Sequence, residues 1–450
     1  MSKTTRSLIF AALALGLAPD RAVMPAAWAA DNLVVADGPK AGLKWDPAET
    51  PQLVDILNCL SPDHPAVRVS MRKSSQIGAT QIGIAWMATV MAVTPAKAGV
   101  VFPTLATAHD FNREKLAPHI ALSPALKTVV REQRSRSGDG STSLNKKFRG
   151  GSLVLTGANS SADLRSKTWK YAFCDEVDEW PLDLDGQGDP MEMVDARQIA
   201  FHASGEFKKF EISTPRIKGA SRIDASFEAG DQRYWHVPCP QCGAYQRLIF
   251  KHLTFERSWP YRAHYVCAAN GCIIDHHQKR AMVQAGRWVA TVPGPGRHPS
   301  FHLDAISSLL TTWDMIAKKW WDVQGDQQKL QAFFNLWLGE AFEIRGEAPE
   351  WQRLYARRSD YAMGTIPLGG LLLSAAADVQ KSGIYVEVVA WGAGKTSWSV
   401  WADFLDGTDT ADEHDASWRK LDDLYHRRFP DAFGNLRNIE AFAVDSGGYC

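Results

Sequence analysis

The residues best suited to chemistry are Asp175 and Glu176, adjacent carboxylates in Lys170-Tyr-Ala-Phe-Cys-Asp-Glu-Val-Asp-Glu-Trp180. An apolar run ending in two acids reads as a buried strand whose tip holds a metal ion with one carboxylate and orients a water with the other. That is the working end of an ATP hydrolase. Further on, Phe210-Glu-Ile-Ser-Thr-Pro215 is a second short strand ending in hydroxyls, Ser213 and Thr214, suited to sensing a terminal phosphate. The standard phosphate loop is Gly-x4-Gly-Lys-Ser/Thr. This chain offers Lys73-Ser74-Ser75-Gln76-Ile77-Gly78-Ala79-Thr80, followed by Gln81. Gly78 and Thr80 fit the second glycine and the hydroxyl, Ala79 stands at the lysine position, and Lys73 replaces the first glycine. A lysine at the start of the loop reaches the β- and γ-phosphates if it crosses the loop. The N–H groups at the helix start cradle phosphate, and Thr80 suits Mg²⁺. Alone, the loop also fits a plain strand–turn–helix, and the acids fit a helix N-terminus. The apolar strand before Asp175 argues for the joint site.

A second constellation is Cys239-x2-Cys242 and Cys267-x4-Cys272. Two turn-borne pairs suit one tetrahedral Zn²⁺ closed by four thiolates, a structural zinc ribbon rather than a catalytic site with an open position. His236, His276 and His277 are superfluous to an all-cysteine shell. The other cysteines, Cys59, Cys174 and Cys450, are single, so there is no disulfide framework. A third constellation is Asp378, ending Leu371-Leu-Leu-Ser-Ala-Ala-Ala-Asp378, and Asp445, ending Ile439-Glu-Ala-Phe-Ala-Val-Asp445. Carboxylates converging from neighbouring strand ends hold two metal ions about 4 Å apart and activate water. A strand-terminal Asp alone is common in turns.

The elements that position these groups alternate. Val67–Met71, Gly99–Phe102, Ser152–Thr156, Tyr171–Cys174 and Lys209–Ile212 read as strands, with helices at Ile82–Met91 and His109–Ile120. Strands alternating with helices predict an α/β domain with a largely parallel sheet. Residues 291–300 are Pro/Gly-rich and mark a boundary. Trp313–Trp321 and Leu330–Leu338 read as helices. Leu371–Asp378 and Ile384–Trp391 read as strands joined by the tight Lys381-Ser-Gly383.

At 450 residues the chain has room for two or three domains. Lys plus Arg and Asp plus Glu number 50 each, so any nucleic-acid contact is local rather than a general phosphate affinity. Met1–Arg6 is basic, Leu8–Leu17 is apolar and Ala27-Trp-Ala29 resembles a cleavage site, together a fair secretory signal. ATP chemistry favours the reading of an N-terminal arm on a cytoplasmic protein. The apolar run is too short to span a membrane.

The chain resembles the large terminase subunit of tailed bacteriophages, in the group related to that of phage lambda. The resemblance rests on Lys73–Gln81, Gly157-Ala-Asn-Ser-Ser-Ala-Asp-Leu-Arg-Ser166, Asp175-Glu176, Ser213-Thr-Pro-Arg-Ile-Lys-Gly219 and His236-Val-Pro-Cys-Pro-Gln-Cys-Gly243. It continues through Phe301-His302, Asn335-Leu-Trp-Leu-Gly-Glu340, Asp378 and Asp445-Ser-Gly-Gly448. Their order and combination carry the specificity. The resemblance implies an ATP-driven motor that pumps viral DNA into procapsids, and a metal-dependent nuclease that cuts concatemeric DNA.

On that resemblance the fold is α/β: an N-terminal arm (1–45), a P-loop ATPase core of the ASCE type (46–235), a zinc-ribbon segment (236–290), a helical Trp-rich connector (291–368) and the N-terminal part of an incomplete RNase H-like nuclease domain (369–450). Lys73, Ser74, Gly78, Thr80, Gln81, Ser213, Thr214 and Arg165 bind nucleotide. Asp175 and Thr80 hold Mg²⁺ and Glu176 orients water. Asp378 and Asp445 hold Mg²⁺ or Mn²⁺, and Zn²⁺ sits on the four cysteines. An adenine contact is expected near Pro51-Gln52. The implied partners are double-stranded viral DNA, a terminase small subunit and the portal of the procapsid, with a homo-oligomeric ring in the host bacterial cytoplasm and no membrane. Relatives run well past Asp445 to a third carboxylate, so the nuclease is expected to be incomplete in a chain ending at Cys450. The alternatives are a helicase-like DNA translocase with a zinc ribbon and no nuclease, and a non-catalytic zinc-ribbon DNA-binding protein.

Overall fold

The computed structural model describes residues 23–132, 140–160, 164–165, 167–184, 186–343 and 358–445. The readings of Met1–Leu17, of Ser161–Asp163 and Ser166, and of Ser446–Gly448 and Cys450 lie outside these residues. The chain divides into two units, Met1–Ile344 and Arg345–Cys450.

The strands of the first unit are β1 (Arg68–Lys73), β2 (Lys97–Phe102), β3 (Asn145–Phe148), β4 (Gly151–Gly157), β5 (Tyr171–Asp175), β6 (Lys208–Ser213), β7 (Arg233–Pro238), β8 (Tyr245–Arg247), β9 (Leu253–Phe255), β10 (Ala263–Val266), β11 (Ile273–Asp275), β12 (Arg287–Ala290) and β13 (Ser300–Leu303). They build one large sheet of order β12-β7-β13-β1-β6-β5-β2-β4-β3, with β8 paired to β7, and a small antiparallel sheet β11-β10-β9. From β13 to β4 the large sheet is parallel. Parallel strands are covered on both faces, which explains why β5 is buried at every residue. β6 is also wholly buried despite its charges. Its Glu211 is desolvated, which favours the neutral form, but Lys209 and Arg68 hold its carboxyl down to about 2.

β6 separates β1 from β5. The strand ending in Ser213 therefore stands between the strand ending in Lys73 and the strand ending in Asp175, so all three tips emerge along one sheet edge. The helix Ala79–Ala92 follows the loop after β1 and is apolar nearly all round. Such a helix must be covered on every side. The helix Pro25–Asn32 supplies part of that cover, with Ala26 and Ala29 buried in the same core. Of the described residues read from the sequence as part of an arm, Ala26, Ala29, Leu33 and Trp45 thus belong to the core. Val34 and Lys44 form an antiparallel bridge and Trp45 is buried. β13 also departs from expectation: it falls in the stretch read as a helical connector, yet it fills the sheet position next to β1. Its four residues are all buried.

The second unit contains β14 (Leu372–Gln380), β15 (Gly383–Trp391), β16 (Ser397–Asp406), the short β17 (Phe429–Pro430) and β18 (Leu436–Arg437), and β19 (Ala441–Asp445). Its main sheet runs β16-β15-β14-β19. The hairpin β14–β15 turns through Lys381 and Ser382, and β19 lies parallel to β14. Side chains alternate across β14: Leu373, Ala375 and Ala377 enter a core with Leu421 and Leu424 of the helix Ala416–Tyr425. Asp378 falls on the other face.

Candidate active site and cysteine centre

Lys73 is the last residue of β1, and its side chain is only 7% exposed. Its ammonium donates to Glu176 Oε1 at 2.7 Å and to Thr214 Oγ1 at 3.2 Å. The three strand tips are therefore knotted by one lysine. Glu176 has φ 49°, a left-handed backbone that bulky residues seldom adopt. That bend follows Asp175 directly, and the Glu176 side chain meets the β6 tip. Its Oε2 accepts from Ser213 Oγ and Thr214 N–H, both at 3.3 Å. Asp175 stays behind, 5% exposed, with one carboxylate oxygen lacking any hydrogen bond. Burial and then the Glu176 charge push the Asp175 carboxyl up to about 7, against the pull of Lys73 and Lys115.

In front of these tips is a cavity of about 650 Å³. Lys73, Gly78, Thr80, Gln81, Asp175 and Glu176 all line it. Gln76 (φ 56°) and Gly78 (φ 86°) are both left-handed, and they curl the loop in the manner of anion-binding backbone concavities. Thr50 Oγ1 and Gln81 Nε2, of two lining residues, are buried without partners; Ser74 Oγ is as well, although Ser74 does not line the cavity. Buried orphan polar groups in native proteins call for an explanation, and a polar ligand with phosphates supplies one. Val35, Leu43, Trp45 and Leu53 contribute apolar lining to the cavity. Gln52 is not part of it: its amide turns inward to Ser307 O at 2.7 Å. Arg165 is exposed, bonded to Gln187, and outside the cavity.

Sequence reading missed three supports. Asp178 accepts from Arg216 N–H at 3.1 Å and Ile223 N–H at 2.8 Å, tying the turn after β5 to the segment after Thr214. Asn335, read only as part of a motif, donates to Arg216 O and Glu340 O, each at 2.8 Å. It lies in a π-helical turn, Phe334–Leu338, whose Leu336 O accepts from Ser75 N–H at 2.8 Å. Such turns are frequent at functional sites. The turn closes on Gly339 at φ 63°. A Cβ there would lie 2.7 Å from Ser74 N and 2.8 Å from Lys73 C. Gly339→Ala is expected to displace the phosphate loop and cost about 1–3 kcal/mol. Thermal unfolding and nucleotide affinity measured together check this: an unchanged melting temperature with unchanged affinity would refute the bracing role.

The cysteines sit on two matching turns. Between β7 and β8, Cys239 N–H donates to Ala244 O at 2.9 Å and Gly243 N–H to Cys239 O at 2.8 Å. Between β10 and β11, Cys267 N–H donates to Cys272 O and Gly271 N–H to Cys267 O, both at 2.9 Å. The turns superpose in pattern, so Asn270 takes the place of Cys242, and Cys272 supplies its thiol two residues later. All four sulfurs lie within 4.8 Å of one another, and Cys242 and Cys267 are 3.8 Å apart. Tetrahedral Zn–S bonds of about 2.3 Å separate the sulfurs by about 3.8 Å, so the residues fit zinc. The Asn270 side chain and the Ala244 N–H hold the Cys242 thiol down to about 6, while desolvation pushes the Cys239 and Cys272 thiols up.

In the second unit, Asp378 and Asp445 are direct partners across parallel strands. Neighbouring strands lie about 4.8 Å apart, so both carboxylates stand at one sheet position and are exposed. Asp378 accepts from Gln380 Nε2 at 3.0 Å.

These features define an α/β phosphate-loop fold with β6 inserted between the loop strand and the acid-tipped strand, a cysteine-knuckle insertion, and a separate mixed-sheet unit. The chain belongs to the phage terminase large subunit family: the family described as "Phage terminase large subunit gpA, ATPase domain" matches residues 40–288, and "Terminase large subunit gpA, endonuclease domain" matches residues 298–450. It is 26% identical over 425 residues to the "Terminase, large subunit" of Enterobacteria phage P21, covering 88% of this chain and 64% of that one. It is 24% identical over 419 residues to the "Terminase, large subunit" of Escherichia phage lambda, covering 87% and 64%. The chain thus spans about two-thirds or slightly less of both relatives, 64% of each. Among solved structures, the HK97 bacteriophage large terminase aligns at 12% identity and a TM-score of 0.40, over 84% of this chain and 67% of that one. The Thermus Phage P74-26 Large Terminase ATPase domain aligns at 14% identity and a TM-score of 0.39, over 67% and 95%.

Proposed function

We propose that this chain is the ATP-hydrolysing and DNA-cutting part of a phage DNA-packaging motor. The observation that carries the reading is the knot of Lys73, Glu176 and Thr214 beside the cavity that Lys73 and Glu176 line. Lys73 and the loop amides bind the phosphates of ATP, with Ser74, Gly78 and Gln81 framing them. Asp175 and Thr80 would hold Mg²⁺, which supplies charge neutralisation on the phosphates. Glu176 orients the attacking water. Its bond to Lys73 suggests a sequence of events: an incoming phosphate competes for the ammonium, and Glu176 is released to hold water. Thr214, which shares Lys73, and Ser213, which shares Glu176, feel that exchange and pass it to the segment held by Asp178 and Asn335. The geometry offers Arg165 no contact with this chain's own cavity.

The cysteine centre holds one structural Zn²⁺. Asp378 and Asp445 hold Mg²⁺ or Mn²⁺ for phosphodiester cleavage, and their register favours this over the helicase-like alternative, which has no use for paired exposed carboxylates. The substrate is double-stranded viral DNA, and the partners are a small subunit, the portal of the procapsid and further copies of this chain in a ring, in the host cytoplasm. No helix among the described residues is long and apolar enough to cross a membrane.

DNA-stimulated ATP hydrolysis tests the motor, and plasmid cleavage with Mn²⁺ tests the nuclease. ATP turnover is expected in the purified chain. Absence of turnover at saturating DNA would favour a binding protein instead. Any cleavage is expected to disappear in Asp378→Ala. Cleavage that survives this substitution would remove the carboxylate pair from the mechanism.

A further inference from the structure

Besides the exposed Lys40 and Lys44, the cavity is lined by one half-buried cation, Lys115, that none of the sequence motifs includes. The helical stretch Leu105–Leu122 passes through a π-helical turn at Asn112–Leu116. The extra residue in that turn shifts the helix face, and π-turns of this kind are frequent at functional sites. Within it, Arg113 points to solvent and pairs with Asp110 at 2.7 Å and Glu114 at 2.9 Å. Lys115 is half-buried and lines the cavity. Among the described residues its ammonium has no hydrogen-bond or ion-pair partner.

Its position is held from both sides. His119, one turn on, donates through Nδ1–H to Lys115 O at 2.7 Å, and its Nε2 accepts from Ala36 N–H at 3.2 Å. One neutral imidazole therefore joins the backbone of Lys115 to the segment 35–46, which lines the same cavity. Lys115 lines the same cavity as Asp175 and Glu176. It is thus on the side where metal and terminal phosphates belong.

The charge balance makes this cation matter. The usual loop-lysine position is Ala79, and the displaced Lys73 is engaged by Glu176 and Thr214. The Lys115 ammonium, half-buried and with no ion pair among the described residues, is free to meet an arriving anion. We propose that Lys115 is the second phosphate-binding cation of the site, contacting the terminal phosphates of the nucleotide from a wall separate from the loop and setting the preference for tri- and diphosphate over monophosphate. This assignment rests on the nucleotide-binding reading of the cavity.

The test is competition of ATP, ADP and AMP against a fluorescent ADP analogue, with the parent chain, Lys115→Ala and Lys115→Arg. Charge-assisted hydrogen bonds of this kind correspond to about tenfold to a hundredfold in affinity. Lys115→Ala is expected to lose that factor for ATP, with AMP unchanged and Lys115→Arg recovering most of the loss. Unchanged ATP affinity in Lys115→Ala overturns the proposal and leaves the nucleotide reading intact. Equal weakening of ATP and AMP also overturns it, since that marks a general distortion of the helix. Failure of the parent chain to bind any of the three nucleotides removes the nucleotide reading itself, and Lys115 with it.

Discussion

Glu176→Gln is expected to lower DNA-stimulated ATP hydrolysis by about a hundredfold to ten-thousandfold, the usual contribution of a positioned base, while ATP still binds. The substitution keeps the length of the side chain, so an amide oxygen can still accept from Ser213 Oγ and Thr214 N–H, as Oε2 does at 3.3 Å. What disappears is the negative charge that holds Lys73 at 2.7 Å and would hold a water's developing positive charge. Freed from that pair, Lys73 has more to offer a phosphate, so the variant is expected to bind ATP at least as tightly as the parent. The combination of slow turnover and undiminished affinity separates this role from simple damage to the site. Initial rates and nucleotide affinity measured on the same preparations decide it. A Gln variant that hydrolyses ATP at close to the parental rate would falsify the assignment. A matched loss of rate and affinity would instead make Glu176 a structural partner of Lys73.

Stripping the cysteine centre is expected to have the larger effect on stability. Structural Zn²⁺ sites contribute about 10–16 kcal/mol in small zinc-binding peptides, and a shared ion would join two turns that are each closed by their own backbone hydrogen bonds. The consequence is not confined to the ribbon. Cys239, Cys267, Val237, Leu248 and Tyr265 share one buried cluster with Trp313 and Phe333, whose helices lead to the turn bracing the phosphate loop. Tyr265 and Trp313 stand 5.9 Å apart, centroid to centroid. Cys267→Ser, or prolonged chelation, is therefore expected to lower the melting temperature and also to weaken nucleotide binding, although no cysteine lies in the cavity. The parent chain is expected to carry one zinc per chain by elemental analysis. A metal-free chain with the same melting temperature as the zinc-loaded one would show that the four thiols do not form a structural site.

Much of this was readable locally. The Asp175-Glu176 tip is visible because a strand covered on both faces must be apolar throughout, so the carboxylates stand out where the cover ends. The cysteine turns are visible because a thiolate shell needs tight, glycine-assisted turns, and Gly243 and Gly271 both adopt the left-handed backbone. The pairing of Asp378 with Asp445 was suggested by two strand ends and is realised as direct register. Residues 23–45 misled because nothing in their local pattern shows that Ala26, Ala29 and Leu33 meet a core built from distant segments. β13 was missed because four residues are too few to show a period.

Local sequence pattern, then, was enough for the strand tips, the thiolate turns and the family, since each depends on neighbours a few residues apart. The partners of those groups depended on which strands lie side by side, and no short stretch of chain encodes that order. Because β6 stands between β1 and β5, Lys73 reaches Glu176 and Thr214, residues more than a hundred positions away. Because β13 flanks β1, the chain beyond it returns Leu336 and Gly339 to the phosphate loop, while Gln52 is drawn inward to Ser307. Arg165 is left outside the cavity and Lys115 is carried into it by the fold of their own segments over that same sheet. Long-range packing chose among arrangements that were all compatible with the local pattern.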